Sequence, residues 1–325
     1  MKKVKIALLG LGTVGSGVKS ILEEKKDQLS QKLYEKTGEE KCIEISRILV
    51  RNTEKDYGAD KSLLTSDYED IINDPEIKIV VELIGGQEPA TKYMKQAIDA
   101  GKHVVTANKM AIAMSGGSIE DQAKKSGAAF MYEASVAGTI PVIRVIQDSL
   151  VANDIRKISG IINGTTNYIL SKMANEGQSF EDALKKAQEL GFAEADPTSD
   201  VEGFDAMYKI AILSKLAFGI MPEPDQISRT GITGVSVADI EKAKANGSTV
   251  KFIAQAHREG DSVNVSVSPV EISTKHPLAN VDGAMNAVYI DCDNAGEIML
   301  QGAGAGSRPT ASAVVSDIFA IAEKL

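Results

Sequence analysis

Cysteine is nearly missing from this chain: its 325 residues hold only Cys42 and Cys292. They are far apart and lack metal-ligand spacing, which excludes a disulfide framework and fits a reducing, cytoplasmic setting. Histidine is scarce as well, and His103, His257 and His276 are too dispersed to build a zinc site. No apolar run reaches the roughly 18 residues that a membrane span needs. The opening Met1 to Gly10 has two lysines and an apolar stretch, as a secretory leader does. It carries no Ala-x-Ala cleavage site and soon turns glycine-rich, so a first β-strand is the expected structure. Positive charge is also short. Thirty-six Lys and Arg against 45 Asp and Glu give a net charge of −9, which argues against tracking nucleic-acid phosphates. What remains is an ordinary globular mix, 43% apolar and 25% charged, long enough for two domains or one large α/β domain.

The first 135 residues alternate between strand and helix patterns. Val4–Leu9, Ile43–Val50, Ile77–Ile84, His103–Thr106 and Ala128–Glu133 read as strands. The third is almost wholly apolar, as a parallel strand covered on both faces should be. Helices are expected from Thr13, from Ala90 to Ala100 with Gly101 as its C-terminal cap, and around Ser118–Ser126. Charged residues 25–41 read as a solvated helix end and loop. This order predicts an α/β fold with an N-terminal Rossmann doubly wound parallel sheet. After Pro141 the pattern changes. A strand at Ile155–Ile162 precedes three helices near 167–175, 180–190 and 201–218. Strands follow near 250–257 and 262–270, joined by a turn at Glu259-Gly260-Asp261, then near 286–291 and 297–301, with a last helix from Pro309. These features indicate a second, α+β domain for substrate binding and dimerisation. The expected division is residues 1–135 completed by 303–325, and residues 136–302.

Gly10-Leu11-Gly12-Thr13-Val14-Gly15 is a G-x-G-x-x-G between a strand and a helix near the start of a βαβ unit. In that context the motif is specific for a dinucleotide. Gly10 permits the turn, Gly12 lets pyrophosphate approach the backbone, and Gly15 lets helix pack on strand. Thr13 and Val14 open the helix whose free N–H groups hold the anion. The second strand ends Leu49-Val50-Arg51, with no carboxylate before Glu54 to take a ribose 2′-hydroxyl. Arg51 suits a 2′-phosphate instead, so NADP preference or dual use with NAD is expected.

Two further segments carry candidate chemistry. Lys109 follows Thr106-Ala107-Asn108 at the C-terminal end of the fourth strand, the edge where open α/β sheets bind ligands. Val201–Phe218 is apolar in nearly every helical direction, yet it holds Asp205 and, one turn on, Lys209. Burying that pair is costly, which makes a functional role as good an explanation as a structural one. Oxidising an alcohol as hydride leaves for a nicotinamide requires a base for the hydroxyl proton. A lysine fills that role when burial or a second cation favours its neutral form. Lys109 and Lys209 are candidates for base and neighbour, while Glu194 and Asp205 suit the amino group of an amino-acid substrate. Glu194, Asp196 and Asp200 have the spacing of a candidate Ca²⁺ or Mg²⁺ site, but no EF-hand pattern is present.

At these residues the chain resembles the homoserine dehydrogenase family along essentially its whole length. Gly191–Lys209 is similar to the family signature. GLGTVG at 10–15, TANK at 106–109, EASVAGTIP at 133–141, NGTTNYIL at 163–170 and GAGAGSRPTASAVVSDI at 302–318 support the match. The resemblance implies interconversion of L-homoserine and L-aspartate 4-semialdehyde in threonine, methionine and isoleucine biosynthesis. By it Lys209 is the proton donor/acceptor, Lys109 assists at the nicotinamide side, and Glu194 and Asp205 contact homoserine. It also implies a structural sodium ion held mainly by backbone carbonyls, with Glu133, Val136, Gly138 and Ile140 matching. Gly304 is expected to return to the cofactor, and the protein is expected to be a homodimer that binds neither membrane nor nucleic acid. Family members often carry a C-terminal ACT domain or a fused aspartate kinase. Ending at Leu325, this chain is expected to have neither, nor threonine feedback through such a domain. Aspartate-semialdehyde dehydrogenase, the competing assignment, needs a thiolate nucleophile, and neither cysteine neighbours the expected cleft. A catalytically silent NADP sensor would not need Lys109, Glu194, Asp205 and Lys209 together.

Overall fold

The computed structural model describes residues 1–260 and 262–325. Asp261, the third residue of the expected turn, lies outside the described residues. Contacts divide the chain into two compact units, residues 1–135 with 306–325, and residues 136–305.

The first unit is built on β1 (Lys2–Leu9), β2 (Lys41–Leu49), β3 (Leu64–Thr65), β4 (Ile77–Glu82), β5 (His103–Thr106) and β6 (Phe130–Met131), in the order β3-β2-β1-β4-β5-β6. Every pairing is parallel. The chain moves outward from β1 to β3, then returns to lay β4 on the other side of β1. The strand order therefore reverses between β1 and β4, the place where such sheets bind ligands. Strand alternation divides the core between the two faces. Ile6 and Leu8 of β1 join one apolar cluster with Val18 and Leu22 of α1 (Thr13–Glu24) and with Val314 and Ile318 of the C-terminal helix, Ser307–Lys324. Ala7 and Leu9 join a second cluster with Met94 of α3 (Ala90–Asp99) and Ile119 of α4 (Lys109–Ser126). Each such fully buried aliphatic chain contributes about 1.5–3 kcal/mol. Gly17 lets the C-terminal helix approach α1, since a Cβ there would come to 2.7 Å from the Ser307 carbonyl oxygen.

Three expectations for this unit change. Residues 25–41 are not mainly loop: α2 runs Lys26–Thr37 and ends at Gly38 in a left-handed conformation. Its apolar stripe is only Leu29 and Leu33, with Leu33 fully buried, too thin to stand out among so many charges. Helix α4 starts at Lys109 rather than near Ser118, because the Asn108 side chain caps it by accepting from Ala111 N–H. The strand expected at 128–133 shrinks to Phe130–Met131, and a 3₁₀ turn at Glu133–Ser135 follows.

The second unit has a mixed sheet of β7 (Ile155–Ile161), β8 (Ser228–Arg229), β9 (Ser248–Glu259), β10 (Ser262–Ser273), β11 (Met285–Cys292) and β12 (Glu297–Ala303), ordered β12-β11-β7-β9-β10-β8. Its pairings are antiparallel except for β8 with β10. Its helices beyond β7 are α5 (Gly164–Glu176), α6 (Phe180–Glu189), α7 (Thr198–Val201), α8 (Phe204–Phe218) and α9 (Val237–Ala245). The expected helix at 201–218 is thus split. Gly203, at φ 85°, breaks the backbone direction between α7 and α8, in a conformation that side-chain-bearing residues avoid. The return to the first unit falls at 305/306 instead of 302/303, because β12 still pairs Ala303 with Met285. Among the described residues no helix is long and apolar enough to cross a membrane.

Candidate active site

The glycine motif forms the turn its spacing demands. Gly10 sits at φ 100° and donates its N–H to the Leu49 carbonyl at 3.0 Å. A Cβ on Gly15 would collide with the Gly10 carbonyl oxygen, so helix and strand meet only through glycine. Gly12 has no heavy atom within 4 Å of where its Cβ would be, which leaves that face open to a ligand. Thr13 and Val14 begin α1, and the first N–H groups of a helix have no partner within it. Beside the turn lies a cleft of about 570 Å³ whose walls include Gly10, Gly12, Arg51, Lys55, Ser66 and Tyr93. Arg51 and Lys55 are both exposed there. An open glycine, a helix N-terminus and two cations beyond β2 fit a phosphorylated dinucleotide. The sequence reading found Arg51 but missed Lys55, Ser66 and Tyr93. Lys55 and Ser66 stand in connecting segments without periodicity, and nothing but their position on the cleft singles them out.

Lys109 is held at the C-terminal edge of the same sheet by a polar chain. Glu82, fully buried at the end of β4, accepts from Thr106 Oγ1 at 2.6 Å and from the Ile84 and Gly85 N–H groups. Thr106 Oγ1 accepts from Asn108 N–H at 3.0 Å, and Asn108 Nδ2 donates to the Gly86 carbonyl at 2.6 Å. The ends of β4 and β5 are thereby locked together. Lys109 then opens α4, half-buried.

In the second unit the lysine and carboxylate expected on one helix face do meet. Lys209 Nζ lies 2.7 Å from Asp205 Oδ2 and donates to the Ile162 carbonyl at 2.8 Å. Only 12% and 8% of the two side chains are exposed, so water does little to weaken the pair. Within its unit Lys209 is therefore held by a carboxylate and a backbone carbonyl. Asn163 and Asp200 complete the cluster, with Asn163 Nδ2 donating to Asp200 Oδ1 at 2.7 Å and to Asp205 Oδ2 at 2.9 Å. Burial raises the Asp200 carboxyl above the usual range, and the nearby Asp205 charge adds to that. Sequence reasoning missed both residues. Asp200 was considered only as a metal ligand, and Asn163 reads as nothing more than a helix cap after a strand.

The hydrogen bonds of Glu194 and Asp196 are local. Glu194 is exposed on the loop before α7, where Gln188 Nε2 donates to its carbonyl at 3.1 Å. Asp196 turns to Thr198, accepting from its N–H and hydroxyl, while Asp200 turns inward to Asn163. These acids therefore do not converge on one ion. Among the described residues no group of three or more His, Cys, Asp or Glu is poised to hold a metal. Glu133 is 3% exposed and its N–H donates to Asp317 Oδ2 at 2.8 Å. Val136, Gly138 and Ile140 lie on a bend in which Ala137 and Gly138 are consecutively left-handed, at φ 55° and 60°. The Ile140 carbonyl accepts from Val142 N–H at 2.8 Å, which leaves it a second lone pair. Gly304 belongs to the second unit, where a Cβ would overlap the buried Asn286 side chain.

Comparison with known proteins agrees with this geometry. Two family models match, "Homoserine dehydrogenase, NAD binding domain" over residues 10–133 and "Homoserine dehydrogenase" over residues 141–319. The homoserine dehydrogenase of Bacillus subtilis (strain 168) is 44% identical over 328 residues, covering 100% of this chain and 74% of that protein. A homoserine dehydrogenase structure from Thiobacillus denitrificans aligns with a TM-score of 0.93 at 44% identity, over 99% of this chain and 74% of the other. A hyperthermophilic archaeal homoserine dehydrogenase in complex with NADPH aligns with a TM-score of 0.83 at 30% identity, over 99% and 98%. With its nucleotide turn, its buried lysine–carboxylate pair and this likeness over its full length, the chain belongs to the homoserine dehydrogenase family of NAD(P)-dependent oxidoreductases.

Proposed function

We propose that this chain interconverts L-homoserine and L-aspartate 4-semialdehyde in the biosynthesis of threonine, methionine and isoleucine, with Lys209 moving the proton. The observation that carries this reading is the Lys209 ammonium seated between Asp205 Oδ2 at 2.7 Å and the Ile162 carbonyl at 2.8 Å on a buried helix. A bound nicotinamide would supply the hydride acceptor or donor. In the oxidative direction the neutral Lys209 amine takes the hydroxyl proton of homoserine. In reverse its ammonium gives that proton to the aldehyde oxygen. Asp205 and Ile162 aim the nitrogen by holding two of its three donor directions. Glu194 and Asp205 bind the substrate's amino group, and Lys109 acts at the nicotinamide side.

For the cofactor we propose Gly10, Gly12, Thr13, Val14 and Gly15 at the pyrophosphate, Lys109 toward the nicotinamide end, Gly304 on the loop that returns to the cofactor, and Arg51 at a 2′-phosphate. Lys55 on the same cleft wall supports NADP preference, with NAD as the second cofactor. The archaeal relative solved with NADPH is consistent with this choice. A structural sodium ion held by Glu133 and the carbonyls of Val136, Gly138 and Ile140 is proposed on the resemblance alone. A cytoplasmic homodimer joined through the second unit is proposed on the resemblance alone. The test is absorbance at 340 nm with L-homoserine and each cofactor in turn. Turnover is expected with both and kcat/KM is expected to be higher with NADP; no turnover with either would overturn the reading.

A further inference from the structure

Asn163 uses every hydrogen-bonding position of its side chain, and it does so where two carboxylates face each other. It is 4% exposed and caps α5. Its Oδ1 accepts from the Thr166 N–H and the Thr166 hydroxyl, both at 2.8 Å. The Thr166 N–H and the two acids fix the orientation of the amide, because the reverse orientation would set NH₂ against N–H and a carbonyl against two anions. The Nδ2 hydrogens then go to different acids, Asp200 Oδ1 at 2.7 Å and Asp205 Oδ2 at 2.9 Å. The carbonyl of the preceding residue, Ile162, accepts from Lys209 Nζ at 2.8 Å. Consecutive residues at the end of β7 therefore hold all three charged groups of the cluster.

We propose that Asn163 is the positioning residue of this centre, a neutral double donor that lets Asp200 and Asp205 remain ionised side by side and keeps Asp205 aligned on Lys209. The proposal rests on the reading above that Lys209 with Asp205 moves the proton. The groups facing Asp200 are Asp205 and Lys209 from α8 and Asn163 and Thr165 from the start of α5. Burial and Asp205 raise the Asp200 carboxyl, while Asn163, Lys209 and Thr165 lower it. Removing the amide donor takes away one of the lowering influences, so Asp200 must titrate at higher pH. The acid limb of a profile that needs both carboxylates ionised must move the same way.

Asn163→Ser separates this role from capping, because serine is an equally good N-cap acceptor but has no NH₂ group to bridge the acids. Helical circular dichroism and NADPH binding are expected to be unchanged. The kcat/KM for homoserine should fall roughly tenfold to a hundredfold, the worth of one or two hydrogen bonds to charged acceptors. Its acid limb should shift upward. Asn163→Asp keeps the shape and the cap acceptor but adds a third carboxylate, so its loss should be largest at high pH and shrink as pH falls and that group regains a proton to donate. Independent of turnover, ¹³C-carboxylate NMR of aspartate-labelled protein should show Asp200 titrating at higher pH in Asn163→Ser than in the wild type. An unmoved Asp200 titration with an unchanged acid limb overturns the proposal, as does a pH-independent loss in Asn163→Asp. Wild type inactive on homoserine, with the Asp200 shift still present, would instead sink the functional reading and leave the role of Asn163 standing.

Discussion

The nucleotide turn of the first unit and the charged centre of the second solve recognition in opposite ways. At Gly10, Gly12 and Gly15 the protein works by leaving side chains out: a left-handed turn, an open face and a contact too tight for a methyl group. At Asn163, Asp200, Asp205 and Lys209 it works by packing polar side chains together until each holds another in place. The first arrangement tolerates exposure because its donors are backbone N–H groups that cannot ionise. The second needs burial, since the same ion pair in water would be worth little. Damage to the turn should therefore appear in cofactor affinity, and damage to the centre in turnover.

After Lys209 itself, the largest effect that sharpens this contrast is expected from Asp205→Asn. Removing the charge at Lys209 should lower kcat with homoserine by about 10²-fold or more, within the usual worth of positioned acid–base catalysis. NADPH affinity by fluorescence titration should stay within twofold or so of wild type. Matching losses in both measurements would break the division. Next are two glycines of one motif with different expected faults. Gly15→Ala places a methyl group against the Gly10 carbonyl, and overpacking of that kind costs about 1–3 kcal/mol, read as a lower denaturation midpoint. Gly12→Ala meets nothing within 4 Å, so stability should hold while NADPH affinity falls about tenfold from lost pyrophosphate approach. Equal stability losses in the two variants would contradict the geometry. The smallest effect belongs to Arg51→Ala. Exposed on the cleft wall and beside Lys55, it should lower the NADP-to-NAD ratio of kcat/KM several-fold, about 1 kcal/mol of charge-assisted hydrogen bonding. An unchanged ratio removes Arg51 as the selector.

The same contrast explains what could be read before any coordinates. Glycines leave a trace because few residues can replace them, so Gly10, Gly12 and Gly15 marked both the turn and its ligand. The i, i+4 spacing of Asp205 and Lys209 on an apolar helix was visible for a similar reason: helical geometry alone sets both residues on one face. Asp200 and Asn163 were not visible. Their partnership joins β7 to α7 across a sequence gap, and neither residue type is unusual where it stands. Helix α2 went unread because Leu29 and Leu33 are its only apolar anchors. Helix α4 was shortened in prediction because Gly116 and Gly117 interrupt the pattern, although the Asn108 cap and the packing of Ile112 and Ile119 carry it through. Lys55 and Ser66 reach the cleft from irregular segments, whose course no local pattern encodes.

Everything assigned to the second unit depends on one nitrogen. In Lys209→Ala, rapid-mixing measurement of NADPH oxidation by aspartate 4-semialdehyde should show hydride transfer slowed by about 10²–10⁴-fold while the Kd for NADPH is unchanged. Transfer at the wild-type rate in a folded, NADPH-saturated Lys209→Ala enzyme would mean that the proton moves through some other group, and that the buried Lys209–Asp205 pair only holds the fold together.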